Sequence, residues 1–444
     1  MRQSLQGFKK FVQSVHPVRM VTLGYLSYVV AGWVLLSLPI AHALPRVSAL
    51  DALFTSTSAV STTGLATVST GNDYNLFGQF IILVLIQLGG VGYMTFGSFV
   101  VLSKSDTLSE RRREIGETVY SMPRDFRIDK FIRSVVVFTV ITETLCAIAL
   151  FLAFSQSGIP NPLWTSIFHS VSAFCTAGFS LYDNSFEPLS GNFWVNLILG
   201  IDSYLGAIGF IVFVDVWRRL IGKTQHVTLT THIILVTTAG VSLVAVALFF
   251  VGEPSIRALP LQERLMASCF QVMTAITTVG FNTIPIGKLS QASLFLIIML
   301  MIIGASPSGT GGGLKTTTFS AICGVIKSSL KGRSQVTFWG KTIPEERVWV
   351  AISSLGFYAS SLIIGCYLLS LTDSAAFESL LFECASALGT VGLSTGITAQ
   401  LTPVGKVIIT ALMFIGRVGP LAFSVALFLP SGHRDEKETD DLAV

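Results

Sequence analysis

Four short segments of the chain place hydroxyl side chains and glycine at one fixed spacing, at 54–65, 168–179, 270–281 and 382–393, and they align without a gap. Each opens on a phenylalanine (Phe54, Phe168, Phe270, Phe382), with Ser or Thr four residues on and Ala directly after. Eight residues after the phenylalanine stands a threonine, then one variable residue, a glycine, and Leu or Phe. The four runs are Thr62-Thr63-Gly64-Leu65, Thr176-Ala177-Gly178-Phe179, Thr278-Val279-Gly280-Phe281 and Thr390-Val391-Gly392-Leu393. Four such runs around one axis could aim backbone carbonyls inward and replace the hydration shell of a cation. Glycine suits that task because aligned carbonyls require backbone conformations that a Cβ disfavours. The fixed partial charges need no acidic side chain within the runs, and none is there. The six His are scattered; His169, the one near a Thr-x-Gly run, reads as a packing residue.

The elements around these runs are those of a membrane protein. Hydrophobic residues make up 51% of the chain and charged residues 12%, about half the charged share of a soluble domain. A helix needs about 20 mostly apolar residues to cross a hydrocarbon core of about 30 Å. Candidate spans lie at 21–38, 80–102, 131–154, 193–216, 233–251, 294–303 with its continuation, 348–371 and 404–429. The repeated glycines are 114, 102 and 112 residues apart, and each lies between two such spans. A unit repeated at this period is the first thing to establish about an architecture. Each unit reads as span, short re-entrant helix, Thr-x-Gly run, span. The re-entrant helices are expected at 49–60, 160–174, 261–276 and 376–388, too short to cross. Asp51, Trp164, Glu263 and Glu378 sit near their outer ends, where a helix N-terminus and the interface favour acidic or aromatic groups.

The fold expected is therefore an all-α polytopic membrane protein. It has eight transmembrane helices and four re-entrant pore helices in four pseudo-symmetric repeats around one ion pore. The repeats span 20–103, 131–221, 228–330 and 346–430, with a tail at 1–19, a loop at 104–130 and a tail at 431–444. With both termini cytoplasmic, 22 of the 29 Lys and Arg fall inside, as the positive-inside rule requires. That asymmetry accounts for the basic residues without nucleic-acid binding. Cys146, Cys175, Cys269, Cys323, Cys366 and Cys384 form no CxxC pair, and read as buried apolar residues rather than a zinc or disulfide framework.

The second span of repeat three is interrupted. The stretch 304–313 (Gly304, Ala305, Ser306, Pro307, Ser308, Gly309, Thr310, Gly311, Gly312, Gly313) holds five glycines and one proline. It begins 14 residues beyond Ser290, about 21 Å along a helix. So polar a stretch cannot face lipid and should line the pore; a rigid linker is the alternative. The run 309–316 imitates a phosphate-binding loop, but Leu314 stands where its second glycine must be. Arg417 lies in the middle of the last span, where a cation normally faces a cavity or a partner. Asp202 or Glu143 could pair with it structurally. Lys315 could contact loop carbonyls or reach the interface. The chain holds no catalytic triad, paired-carboxylate or nucleotide motif, which argues against an enzyme and against a nucleotide-driven pump.

Thr278-Val279-Gly280-Phe281 and Thr390-Val391-Gly392-Leu393 resemble the start of the potassium-channel filter signature. Four degenerate copies in one chain resemble the Ktr/Trk/HKT superfamily of potassium transporters, and within it the KtrB-type membrane subunits. The similarity extends to the runs 87–97, 311–319 and 413–420. It implies potassium held at the filter carbonyls, with a possible place for sodium as a required ion, and no organic cofactor in this chain. It implies a homodimer in the lipid of a bacterial inner membrane, carried on a cytosolic ring of KtrA-type (RCK) nucleotide-binding subunits, without nucleic acid. It implies that 304–313 with Lys315 is an intramembrane gate, and that Arg417 is a positive barrier beneath the filter. A sodium- or proton-coupled symporter is the alternative transport mechanism, with Glu143 and Asp202 as coupling groups.

Overall fold

The structure, a computed structural model, describes residues 17–43, 47–92 and 128–419. The expected N-terminal tail as far as residue 16, the C-terminal tail, the loop as far as residue 127 and the ends of the second and last spans lie outside the described residues. The helices are α1 (Pro17–Leu36), α2 (Ala49–Val60), α3 (Leu76–Val91), α4 (Ile128–Gln156), α5 (Pro162–Phe174), α6 (Phe193–Ala207) and α7 (Phe210–Leu220). They continue with α8 (Leu229–Gly252), α9 (Leu261–Thr277), α10 (Gln291–Ile303), α11 (Thr316–Leu330), α12 (Glu345–Thr372), α13 (Phe377–Leu388) and α14 (Pro403–Val418). An antiparallel pair, β1 (Thr337–Phe338) and β2 (Lys341–Thr342), joins α11 to α12.

Among the described residues, four helices, α1, α4, α8 and α12, are long and apolar enough to cross a membrane, as is the bent pair α6 and α7 taken together. Each of the four opens one repeat. Leu145, Leu243 and Ile363 on three of them are more than 60% exposed, a surface that suits hydrocarbon and not water. The short helices α2, α5, α9 and α13 have 12, 13, 17 and 12 residues, and fall where the sequence places re-entrant helices. Their Phe54, Phe168, Phe270 and Phe382 are buried. The Ser and Thr of α2 are buried too; the Ser56 hydroxyl donates to the Val29 carbonyl at 2.7 Å and the Thr57 hydroxyl to the Leu53 carbonyl at 2.9 Å.

The second helix of every repeat starts on a side-chain cap: Asn75 for α3, Asn192 for α6, Ser290 for α10 and Thr402 for α14. Each cap oxygen accepts from an otherwise unpaired amide of the first turn. These helices then pack in a closed cycle. α3 meets the re-entrant helix α5 of the next repeat, α6 meets α9, α10 meets α13, and α14 returns to α2.

The second spans depart from expectation. An uninterrupted crossing is expected at 193–216, but α6 and α7 are bent by 91° at Ile208 and Gly209. Interruption is thus not confined to repeat three, and among the described residues α3 ends at Gly92 and α14 at Gly419. Gly92, Gly209 and Gly419 share one backbone conformation, with φ of 90°, 98° and 90° and ψ of 134°, 136° and 138°. At Gly209 the positive φ ends the helix where the loop 304–313 needs the space: the Pro307 carbonyl occupies the position a Cβ there would take. The thiols also divide. Cys175, Cys366 and Cys384 are buried, whereas Cys269 and Cys323 lie on outward helix faces, and all six are free.

Candidate functional site

At the end of each re-entrant helix the chain turns through a threonine in the left-handed region. Thr62, Thr176, Thr278 and Thr390 have φ of 53°, 49°, 59° and 47°. Such a conformation is costly for a β-branched residue and persists only where surroundings impose it. Here the helix end imposes it. The amide of the next residue is captured from within the helix, as Thr63 N donates to Ser58 O, Ala177 N to Ser172 O, and Val391 N to Ser386 O, each at 2.8 Å. Val279 N donates to Thr274 O at 3.1 Å. The glycines follow with positive φ: Gly64 91°, Gly178 66°, Gly280 84° and Gly392 92°.

These four glycines close a ring. A Cβ on Gly64 would strike the Ala177 carbonyl, one on Gly178 the Val279 carbonyl, one on Gly280 the Val391 carbonyl, and one on Gly392 the Thr63 carbonyl. Each glycine thus abuts the variable residue of the next repeat, in the order one, two, three, four and back to one. Any side chain at these positions meets both a steric wall and an unfavourable φ.

Polar clasps repeat the same order at the outer rim. Asp183 of repeat two accepts from Ser69 Oγ at 2.5 Å and from Asn72 Nδ2 at 2.9 Å in repeat one. Asn282 of repeat three donates to Glu187 Oε1 of repeat two at 2.8 Å. Gln291 donates to Glu378 Oε2 of repeat four at 3.0 Å. Lys406 of repeat four closes the circle on Asp51 of repeat one at 2.7 Å.

The loop 304–313 lies against the inner ends of the four threonines. Thr310 Oγ1 stands 3.2 Å from Thr176 Oγ1 and donates to the Phe174 carbonyl at 2.9 Å. Gly312 N donates to Thr278 Oγ1 at 2.9 Å. Gly312 also fills the space beside Thr390 Oγ1. Arg417 supplies the fourth link. Its guanidinium donates to Thr62 Oγ1 at 3.0 Å, to the Thr310 carbonyl, and to the carbonyls of Gly89 and Gly90. The loop also bonds Ser306 N to Ala207 O at 3.0 Å and Thr310 N to Gly206 O at 3.1 Å. Ser308 Oγ accepts from Ile211 N at 3.1 Å.

Lys315 donates to the Gly311 carbonyl, one of the two placements expected of it. Arg417 does not pair with Asp202 or Glu143, so the salt-bridge alternative is set aside. Beyond the loop, on the side of β1 and β2, a cavity of about 630 Å³ is lined by Ser308, Gly309, Lys315, Arg417 and the breaking glycines Gly92 and Gly419.

Glu143 and Asp202 come together elsewhere, between α3, α4, α5 and α6. Gln87 Nε2 donates to Glu143 Oε2 at 3.2 Å, and Ser170 Oγ lies 3.2 Å from Asp202 Oδ2. His169 is caged by Phe154, Phe168, Tyr182, Phe186 and Phe281, as a packing residue would be. It is also hydrogen-bonded at both ring nitrogens, to Thr165 O at 2.8 Å and Ser180 Oγ at 3.2 Å.

Sequence reasoning missed the acceptors of Arg417 at Gly89 and Gly90, and the breaks at Gly92, Gly209 and Gly419. A signal was present: Gly-x-x-Gly recurs at 89–92, 206–209 and 416–419.

A family model described as a cation transport protein, TrkH, matches residues 4–437. The chain is 34% identical over 415 residues to the Ktr system potassium uptake protein B of Bacillus subtilis, covering 92% of each. It is 31% identical over 438 residues to the potassium/sodium uptake protein NtpJ of Enterococcus hirae, covering 96% of each. Its fold matches the crystal structure of the potassium transporter TrkH from Vibrio parahaemolyticus with a TM-score of 0.69, over 91% of this chain and 85% of that one, at 21% identity.

Proposed function

The chain belongs to the TrkH family of cation transport proteins, as a KtrB-type member, and on that premise we propose that it is a potassium uptake subunit with a gated, channel-like pore. The observation that carries this reading is the closed ring of four Thr-x-Gly runs, each glycine abutting the next repeat's carbonyl. In it, a dehydrated cation exchanges water for carbonyl oxygens. The re-entrant helices point their C-terminal, negative dipole ends at the same axis. Eight spans are the count we assign, each second span taken with its continuation.

The loop 304–313 acts as the gate. It covers the inner end of the ring, and Arg417 ties it to Thr62 while placing a fixed positive charge on the ion path. Ions pass when that set of bonds opens into the cavity beyond. We place the protein in a bacterial inner membrane with both termini cytoplasmic, as a homodimer regulated by a cytosolic KtrA-type nucleotide-binding ring. Sodium enters this reading as a regulator or a second permeant ion.

Potassium influx into liposomes holding this chain tests the proposal, with sodium and proton gradients imposed separately and a KtrA-type partner added in a parallel series. Passive, potassium-selective influx without either gradient is expected. One observation favours a second reading, coupled symport: buried Asp202 and half-buried Glu143 lie near each other with neutral partners, Ser170 and Gln87. Influx only under an imposed sodium or proton gradient would establish that mechanism in place of the pore.

A further inference from the structure

The residue after the phenylalanine differs in each repeat: Thr55, His169, Gln271 and Glu383. All four are polar, and all four are buried. Three reach the strand that carries the chain outward from their own Thr-x-Gly run. His169 Nδ1 meets the Thr165 carbonyl, which can only accept, so that nitrogen holds the proton. Its Nε2 then accepts from Leu181 N at 3.3 Å and from Ser180 Oγ at 3.2 Å. Gln271 donates to Thr283 Oγ1 at 3.4 Å, and its own oxygen finds no partner among the described residues.

Glu383 makes the strongest set. Ser394 Oγ donates to one carboxylate oxygen, and Thr398 Oγ1 donates to the other at 3.0 Å. Ser394 Oγ in turn accepts from Gly396 N at 2.9 Å, which leaves its hydroxyl proton free for the carboxylate. No Lys or Arg is bonded to Glu383 among the described residues. On its far side the same strand meets repeat three, where the Thr395 carbonyl fills the space a Cβ on Gly287 would take. The fourth outward strand is thus held between a carboxylate and a neighbouring repeat.

We propose that Glu383 is a specificity-determining positioning residue, which pins the outward strand of the fourth filter run and so sets which cation the ring accepts. This rests on the pore reading above. Two hydroxyls close on one carboxyl group in repeat four, against a single amide contact at 3.4 Å in repeat three, so the strands are held unequally. Of the three strands reached in this way, that of repeat four is held most firmly and that of repeat three, on one long amide contact, least. Discrimination between potassium and sodium depends on the spacing and stiffness of the ring carbonyls. Releasing the firmest strand lets the carbonyls close on the smaller ion.

The experiment compares potassium and sodium influx into liposomes holding the full chain, as a ratio rather than a total rate. Glu383→Ala is expected to lower the potassium-over-sodium ratio about ten-fold, the equivalent of about one buried hydrogen bond. Glu383→Gln, which keeps shape and one acceptor oxygen, is expected to fall between. Thr398→Val removes one donor and is expected to lower the ratio about three-fold. Its result decides the matter if Glu383→Ala does not fold. A folded Glu383→Ala, or in its place Thr398→Val, with the parent's ratio overturns the inference. Gly392→Ser is measured alongside: if it too leaves the ratio unchanged, the pore reading fails as well, whereas a change in Gly392→Ser alone overturns only the role of Glu383.

Discussion

At the scale of single residues, the ring concentrates its constraints on backbone rather than on side-chain charge. Gly280 has φ of 84°, and the Val391 carbonyl stands where its Cβ would go. Gly280→Ser therefore cannot be accommodated without moving one run against the next. We expect the potassium-over-sodium ratio to fall by at least about ten-fold, some 1.4 kcal/mol of lost discrimination. An unchanged ratio in liposomes would remove the ring from the selectivity mechanism. Arg417 acts differently. Its guanidinium holds four acceptors from three separate segments, and bonds to charged donors contribute about 1.5–3 kcal/mol each. Arg417→Gln should shift the loop toward its open arrangement and raise basal potassium influx by about ten-fold or more. A folded variant with the parent's influx would leave Arg417 as a structural tie only.

At the scale of elements, the decisive feature is that α3, α6, α10 and α14 all end close to a glycine of positive φ, whereas the first spans run on. α1, α4, α8 and α12 run on as long apolar helices, and nothing in them competes with the helix. In the second spans, the glycines at 89, 206 and 416 let α3, α6 and α14 approach the carbonyls of Val60, Phe174 and Leu388 on the re-entrant helices. Gly209 then turns the chain into α7, and the Pro307 carbonyl of the loop 304–313 lies against it. Shortening 304–313 by two or three residues should raise potassium influx, because the bonds from Thr310 and Gly312 to the threonine ends can no longer all form. Unaltered influx would make the loop a linker. Gly209→Ala is expected to act in the same direction by displacing Pro307, and a loop cysteine at Ser308 would report this as faster labelling by a thiol reagent.

At the scale of the whole molecule, four units of one chain close on themselves, and the last junction is made by Lys406 and Asp51. Burial works against the Asp51 carboxylate, but the Lys406 ammonium and the Ser48 and Thr67 hydroxyls outweigh it and hold its carboxyl below the usual range. A depressed carboxyl stabilises the folded protein above its ordinary titration range, and that share is lost as pH falls through its lowered value. Asp51→Asn should therefore lower the melting temperature at neutral pH by about 1–3 °C, with the difference from the parent shrinking in acid. An equal difference at all pH values would mean the clasp contributes shape and not charge. Much of this molecule is legible in the sequence. The Phe-to-Gly spacing, the apolar stretches and the polar break at 304–313 identify four re-entrant units and the residues of their turns, because each is a local pattern with a local physical cause. Locality is also the limit. Nothing near Gly209 in sequence says that the Pro307 carbonyl will take the space of its Cβ, and nothing near Arg417 points to Thr62, Gly89 and Thr310. The cyclic order of the repeats, the placement of the loop under all four threonines and the strand held by Glu383 arise from contacts between segments far apart in the chain, which form only once the ring has closed.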